Sequence, residues 1–395
     1  MGQKVLAWFV CLSIGVVVYS YAIYPLALIL LASIRQAWSD LCFVWEKTER
    51  RGHESCEWPR VDIIISAFNE RAHIAARIEN LLSQDYPGGL LRVRIGSDGS
   101  TDGTADILSA LHDPRLDIQI FAQNRGKASV LNDLVARSDA PLLIFSDANT
   151  VFDVNAIRRL VAPFGNPEVG AVSGELRLKS KRGDNQDGLY WRYEQLLKMF
   201  EARVGALLGA NGAIYAIRRE LWTPLRSDTI CDDFCVAMNI ASQRYRVLYE
   251  PRAWAEEEAP AAISDEYRRR VRIGIGNYQA LFRNPQYLFR TSAFTAFAYV
   301  SHKIFRWLAP HFMLLGLAGS ALLSLRSNTW LVITAAQIFC YVLAVVLYRR
   351  SARGRPVPKI LRPMVFLFAL NWAFLVASAQ YARGTYQASW TSVPR

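Results

Sequence analysis

The chain has 395 residues, of which 52 % are hydrophobic and 20 % charged, with a formal net charge of +12. That balance is too apolar for a plain soluble enzyme, and the excess is concentrated in blocks. Much of the basic charge lies beside those blocks, which points to anionic lipid headgroups rather than to a phosphate-tracking nucleic-acid surface.

Taken in chain order, residues 5–34 carry no charge. Such a run exceeds the roughly 20 residues that cross a bilayer, and no signal cleavage site accompanies it, so it predicts a retained, tilted span. The centre of the chain then alternates strand-like and helical stretches. Residues 61–66, 91–96, 116–121 and 142–146 read as strands; 75–85, 105–111 and 127–137 read as helices. This order predicts a mainly parallel sheet covered by helices, with ligands at the C-terminal strand ends. The polar clusters fall at those ends: Asn69 and Glu70, residues 97–104, and residues 147–149. The charged segment 179–188 reads as a flexible loop. Farther on, residues 307–325, 330–348 and 363–382 lack Lys, Arg, Asp and Glu and predict three more spans. Residues 292–306 are interrupted by His302, Lys303 and Arg306 and predict an amphipathic helix on the interface.

Arg349, Arg350, Arg353, Arg355, Lys359 and Arg362 crowd the loop after the third span, which the positive-inside rule places in the cytoplasm. The expected division is therefore a membrane helix over 1–35, a cytoplasmic domain over 36–290, and over 291–395 an interfacial helix plus three transmembrane helices. The chain is expected in the plasma (inner) membrane. Cys11, Cys42, Cys56, Cys231, Cys235 and Cys340 are scattered, complete no zinc set, and read as reduced thiols.

Five constellations carry candidate chemistry, each with a plainer reading beside it. In residues 97–104 two glycines permit a tight turn close to a ligand, and Asp98 can accept a hydrogen bond from a base or sugar; a capped turn reads the same way. Lys127, at the end of Asn124–Lys127, suits a phosphate or a uracil carbonyl, or simply starts a helix. Asp147 and Asn149 suit a hard divalent cation, or an Asx turn. Asp232 and Asp233 are paired carboxylates, one a candidate general base, in a place where acidic residues also cap a helix. The run Arg268–Arg272 suits either a diphosphate or lipid headgroups.

Over roughly residues 58–290 the motifs, in their order, resemble membrane-bound family 2 glycosyltransferases of the polysaccharide-synthase kind (cellulose, hyaluronan and poly-N-acetylglucosamine synthases). Residues 64–70 (IISAFNE) resemble the opening nucleotide-contact strand. SDGSTDGT resembles the family's (D/S)DGSTDGT, and NRGKASVLN its NxGKAxALN. DAN at 147–149 takes the place of D-x-D, GANGAIYAIR at 209–218 resembles the acceptor-side loop, and Asp232-Asp233 resembles the Glu-Asp pair. Three departures stand out: Ser97 replaces a first Asp, Asn149 a second one, and the Gln pair and Trp of Q-x-x-R-W are absent (Arg268, Arg269 and Ile273 instead).

The resemblance implies a GT-A-like, Rossmann-like α/β fold with a mixed, mainly parallel sheet and transmembrane helices at both ends. It implies an inverting transfer from a nucleotide sugar, usually a UDP-sugar. The donor would lie across Ala67, Asn69, Glu70 and Asp98, with Lys127, Arg270 and Arg272 toward the diphosphate. Mg²⁺ or Mn²⁺ would sit at Asp147 and Asn149. Asn211, Gly212 and Arg218 would line the acceptor side, with Asp233 as base beside Asp232. Expected partners are a polysaccharide or lipid-linked acceptor, membrane lipids, and further copies or accessory export proteins; nucleic acid is not among them. Transfer of one sugar to a lipid shares every donor-side residue, and the missing Gln and Trp lean toward it. A nucleotide-sensing transport component is opposed by spans almost free of ionisable residues. A dinucleotide-dependent dehydrogenase is excluded because residues 67–73 lack a Gly-rich fingerprint.

Overall fold

The structure is a computed structural model that describes residues 2–46, 57–179, 188–258 and 263–386. Cys56 and most of the charged segment 179–188 lie outside the described residues. At the N-terminus α1 (Gly2–Val18) runs through a π-helical turn at Tyr19–Ile23 into α2 (Tyr24–Glu46), so residues 5–34 form one helical rod.

The alternation that follows is the expected one. It comprises β1 (Val61–Ala67), α3 (Ile74–Leu82), β2 (Leu91–Asp98), α4 (Thr104–Ser109), β3 (Leu116–Phe121), α5 (Lys127–Ala136) and β4 (Leu142–Asp147). Strands β1, β2 and β4 each run one or two residues beyond the expected limit, which carries Ala67, Asp98 and Asp147 onto the sheet itself. Then come β5 (Val151–Phe152), α6 (Ala156–Val161), β6 (Val169–Lys179), α7 (Gly188–Val204), β7 (Tyr215–Arg218), α8 (Asp232–Ser242) and β8 (Arg246–Glu258). The eight strands form one sheet in the order β3-β2-β1-β4-β7-β6-β8-β5. The pairs within β3-β2-β1-β4 are parallel, and β7 is antiparallel to both its neighbours.

Alternation along each strand builds two cores. Ile63 and Ile65 face a layer with Ile74, Ile78 and Leu81 of α3 and Ile157 and Leu160 of α6. Ile64, Leu143 and Phe145 face the other way, against Leu131 and Leu134 of α5 and Val236 and Ile240 of α8. This second core does not stop at the sheet and its helices. It takes in Tyr24 and Leu28 of α2 and runs on into the C-terminal helices described next.

Those helices are α9 (Ile263–Arg283), α10 (Gln286–Phe289), α11 (Ala293–Ala298), α12 (Phe305–Ser324), α13 (Asn328–Ala352) and α14 (Arg362–Arg383). A π-helical turn at Tyr299–Ile304 fuses α11 to α12, and α1 packs antiparallel on α12, Val10 against Gly319 and Ser13 against Gly316. Residues 292–306, expected as an interfacial helix, form the start of one long helix, and two of their polar residues turn inward, His302 to 1 % and Arg306 to 4 % exposure. Four helical segments are long and apolar enough to cross a membrane: Gly2–Trp45, Ala293–Ser324, Asn328–Ala352 and Lys359–Arg383.

Candidate active site

Parallel register gathers the polar strand ends. Ala67 lies opposite Ser97, and Ser66 opposite Asp147, so the ends of β1, β2 and β4 share one edge. Two loops are stitched together above it. Asn69, in the left-handed region at φ 55°, accepts from Thr101 N at 2.8 Å and donates its own N–H to Ser100 Oγ at 3.1 Å. Glu70 N donates to Thr104 Oγ1 at 2.9 Å, and Asp102 takes Arg71 N at 3.0 Å. Asp98 is fully buried. Its two oxygens accept from Arg125 N (2.8 Å) and Gly126 N (2.9 Å), so its carboxylate holds the loop that delivers Lys127 rather than facing open space.

Lys127 begins α5 and joins two parts of the chain. Its Nζ lies 2.9 Å from Asp147 Oδ1, at the end of β4, and 3.2 Å from Asp232 Oδ2, at the start of α8. Burial alone would push the ammonium toward losing its proton, but Asp147 and Asp232 outweigh that and raise its pKa, so it stays charged. Asp233 Oδ2 accepts from Gly212 N at 3.0 Å, and its Oδ1 from Phe234 N at 2.8 Å. Burial, then the neighbouring Asp232, push the Asp233 carboxyl up to about 6, with Lys127, the Phe234 N–H and Lys198 acting against them. A carboxylate tuned there is ionised at neutral pH yet basic enough to take a proton.

Asn211, before β7, is a junction. It accepts from Lys198 Nζ at 2.6 Å, donates Nδ2 to Gly174 O at 2.5 Å, and donates its N–H to Ser173 Oγ at 3.0 Å. Gly212 follows it onto Asp233. Arg218 does not join them. It pairs opposite Leu142 at the start of β4, the far end from Asp147, and donates to the carbonyls of Phe164, Asn166 and Val169. The arginine run is divided as well. Residues two apart on a helix face nearly opposite ways. Arg272 shares a face with Gly276 and Gln279, which pack on Cys231 and Ile230, and its charge reaches the Cys231 thiol. The Arg270 guanidinium instead lies over the Phe366 ring at 4.3 Å. Of the two, only Arg272 is on the side of the acidic pair.

Asn149 donates Nδ2 to Glu257 Oε1 at 3.3 Å. Among the described residues no group of three or more His, Cys, Asp and Glu side chains is arranged to hold a metal by itself. The donor types nonetheless suit a hard divalent cation: Asp147 and Asn149 bring side-chain oxygens to the end of β4.

Two groups of buried polar contacts near the site escaped the sequence. Arg77, 2 % exposed, donates to Ser146 Oγ at 2.6 Å and to Asn80 Oδ1 at 2.8 Å behind the end of β4; its place is signalled only by sharing the apolar spacing of Ile74, Ile78 and Leu81. The second group lies where α7 meets α2 and α12. Arg306 Nη1 donates to Glu194 Oε1 at 2.6 Å and Nη2 to Tyr193 at 2.7 Å. His302 lies 2.5 Å from Glu201 Oε1 and 3.3 Å from Glu194 Oε2, and Tyr24 donates to Glu201 at 3.0 Å. Burial alone would raise the Glu194 carboxyl, but Arg306 and His302 hold it well below the usual range. Between this group and the acidic pair, the Phe234 ring packs on Trp307 and Tyr299, each 5.9 Å between centroids.

The description of glycosyl transferase family 2 matches residues 62–221, and that of glycosyl transferase family group 2 matches residues 142–376, more than half of the chain. A poly-beta-1,6-N-acetyl-D-glucosamine synthase of Staphylococcus epidermidis is 27 % identical over 235 residues, 57 % of this chain and 56 % of the relative. The protein of the same name from Staphylococcus aureus strain COL is 25 % identical over 263 residues, 65 % and 63 % of the two chains. The matches thus span little more than half of those relatives. Among solved structures, a mannosyltransferase of Pyrobaculum calidifontis in complex with GDP-Man and Mn²⁺ superposes with a TM-score of 0.69 at 19 % identity, covering 96 % of this chain and 100 % of that one. This likeness bears on the fold, and bears out the GT-A-like sheet with helices at both ends.

Proposed function

The chain belongs to glycosyl transferase family 2, and on that premise we propose that it moves a sugar from a nucleotide-sugar donor, a UDP-sugar, onto a growing polysaccharide at a membrane, with inversion at the anomeric carbon. The observation that supports this most is the Lys127 bridge, which brings the end of β4 to the acidic start of α8 beside a carboxyl tuned to about 6.

In this reading the nucleoside lies along Ala67, Asn69 and Glu70, on the loop that Asp98 holds. Lys127 and Arg272 receive the diphosphate. The acceptor hydroxyl approaches from Asn211 and Gly212. Asp233 takes its proton as the acceptor oxygen bonds to the anomeric carbon and the bond from that carbon to the diphosphate breaks. Charge then gathers on the leaving diphosphate, where the two cationic side chains stabilise it. Mg²⁺ or Mn²⁺ fits the carboxylate of Asp147, with Asn149 beside it, and when bound would supply charge neutralisation of the diphosphate. The Pyrobaculum relative's Mn²⁺ supports a divalent ion here. The Staphylococcus relatives support a polysaccharide product.

A second reading, one sugar onto a lipid or lipid-linked acceptor, is favoured by Arg268, Arg269 and Ile273 standing where the Gln pair and Trp are absent. Incubation of the protein in nanodiscs with radiolabelled nucleotide sugars and membrane lipids separates the two. Labelled polymer supports the first reading, and a single labelled lipid the second. Label that stays on the nucleotide with every donor, in the presence of both polymer and lipid acceptors, would overturn the proposal.

A further inference from the structure

Of the helices in the four segments long and apolar enough to cross a membrane, α14 exposes the fewest large apolar side chains among the described residues. Helix α13 exposes Leu331, Val332, Ile338, Phe339, Val342 and Val346, as a helix facing lipid does. Among the described residues α14 exposes one large apolar side chain, Trp372.

One side of α14 is covered by α9, and the two run in the same direction. Arg270 stacks on Phe366. Gly274 packs so closely that a Cβ there would lie 2.7 Å from that of Ala377. Tyr381 stacks on Tyr278 and Phe282, at 6.2 and 5.8 Å, and Arg283 donates to the Tyr386 hydroxyl at 2.9 Å. The other side meets the near ends of the membrane helices: Asn371 donates to the Tyr21 hydroxyl at 3.3 Å, Phe368 packs on Tyr348, and Ser378 lies 3.1 Å from His311.

Helix α9 is itself fixed to the catalytic layer. Gln279 accepts from Ile230 N at 3.1 Å and donates to Asp228 O at 3.0 Å, and Arg283 grips both oxygens of Asp228 at 2.9 and 2.7 Å. With Arg268, Arg269, Arg270, Arg272 and Arg283 it is no candidate for hydrocarbon. Along α9, Arg270 to Arg283 is about 20 Å, less than the roughly 30 Å of the hydrocarbon core. If α14 crossed the membrane, α9 packed along it would carry Arg270, Arg272 or the Arg283–Asp228 pair into the lipid.

We propose that α14 does not cross the membrane. It lies between the catalytic layer and the near ends of α1, α12 and α13, in the headgroup layer on the catalytic side, and both its ends stay on that side. Three helices then span, and Arg362 and Arg383 at the two ends of α14 sit at the level of anionic headgroups.

The test is vectorial labelling of single-cysteine additions by a membrane-impermeant maleimide in sealed vesicles of both orientations, read by peptide mass so that native cysteines do not interfere. Thr385→Cys, and Arg383→Cys as a second position, report the end of α14. Glu168→Cys reports the catalytic domain, and Arg326→Cys the tip of the α12–α13 hairpin. The expected result is that positions 383 and 385 label in the same vesicles as 168 and are protected in those that label 326. Labelling of 383 or 385 together with 326 overturns the proposal.

Discussion

Lys127 and Asp232 meet at 3.2 Å across the gap between α5 and α8, and the same ammonium holds Asp147 at 2.9 Å. One cation thus ties the strand that ends in the proposed metal carboxylate to the helix that begins with the acidic pair. Removing it leaves two partly buried carboxylates facing each other. Lys127→Met is expected to destabilise the fold by about 3 kcal/mol, the usual cost of breaking a buried pair from one side. Adding Asp147→Asn should restore part of that loss, because residues in contact are not additive. Thermal unfolding of the two single variants and the double variant decides it; purely additive losses would mean the bridge contributes nothing.

Asp233→Asn removes the proposed base but keeps a side-chain oxygen for Gly212 N. Turnover is expected to fall by about 10²-fold or more with donor affinity kept. With the carboxyl near 6, kcat/KM of the parent enzyme should rise with pH through that value as Asp233 loses its proton, then level off. A parent profile flat from pH 5 to 8 would take Asp233 out of the mechanism.

The same shift carries a stability consequence. A carboxyl raised above its ordinary value of 3.8 makes ionisation unfavourable to the fold, so stability is lost as pH rises from about 4 through about 6. That loss should be absent from Asp233→Asn. Unfolding midpoints of parent and variant at pH 4.5 and 7.5 provide the comparison, and an identical pH dependence in both proteins would count against the raised carboxyl.

Gly276 lets α9 close on the residue before the acidic pair. A Cβ there would stand 2.5 Å from the Cys231 sulfur. Gly276→Val is expected to cost about 1–3 kcal/mol by overpacking and to lower turnover more than it raises KM, since the displaced residue adjoins Asp232. Unchanged turnover would show that α9 does not set the position of the pair.

Glu201 accepts from Tyr24 and lies against His302, all three buried. Glu201→Ala strands both partners, at about 1–3 kcal/mol for each buried polar group left without one. Glu201→Gln, which keeps an acceptor for Tyr24, should recover part of the loss. Thermal unfolding in detergent reads both, and equal midpoints for Ala and Gln would exclude a hydrogen-bonding role.

Much of the layout was legible in the sequence because its signals are local. Three isoleucines in a row end in Ser66-Ala67, and turn residues follow each strand; parallel register alone then brings Ala67, Asp98 and Asp147 to one edge. What the sequence did not give depends on contacts between distant segments. That Asp98 takes the N–H groups of Arg125 and Gly126 has no local signal, since they lie 27 and 28 residues on. Arg270 and Arg272 read alike until the partner of each helix face is known. His302 and Arg306 read as an interfacial stripe because their partners, Glu194 and Glu201, lie on α7, a long way back along the chain. For α14 hydropathy alone does not decide, because a helix buried between two protein layers and one surrounded by lipid have the same composition.

The central claim is that the site bridged by Lys127 transfers sugar. The most direct measurement is release of free nucleoside diphosphate by the purified protein in nanodiscs, over a panel of nucleotide sugars with Mg²⁺ or Mn²⁺, beside Asp147→Ala and Asp233→Asn. Release with one donor, lost in both variants, is the predicted result. Release that persists undiminished in both variants would contradict the assignment of this site.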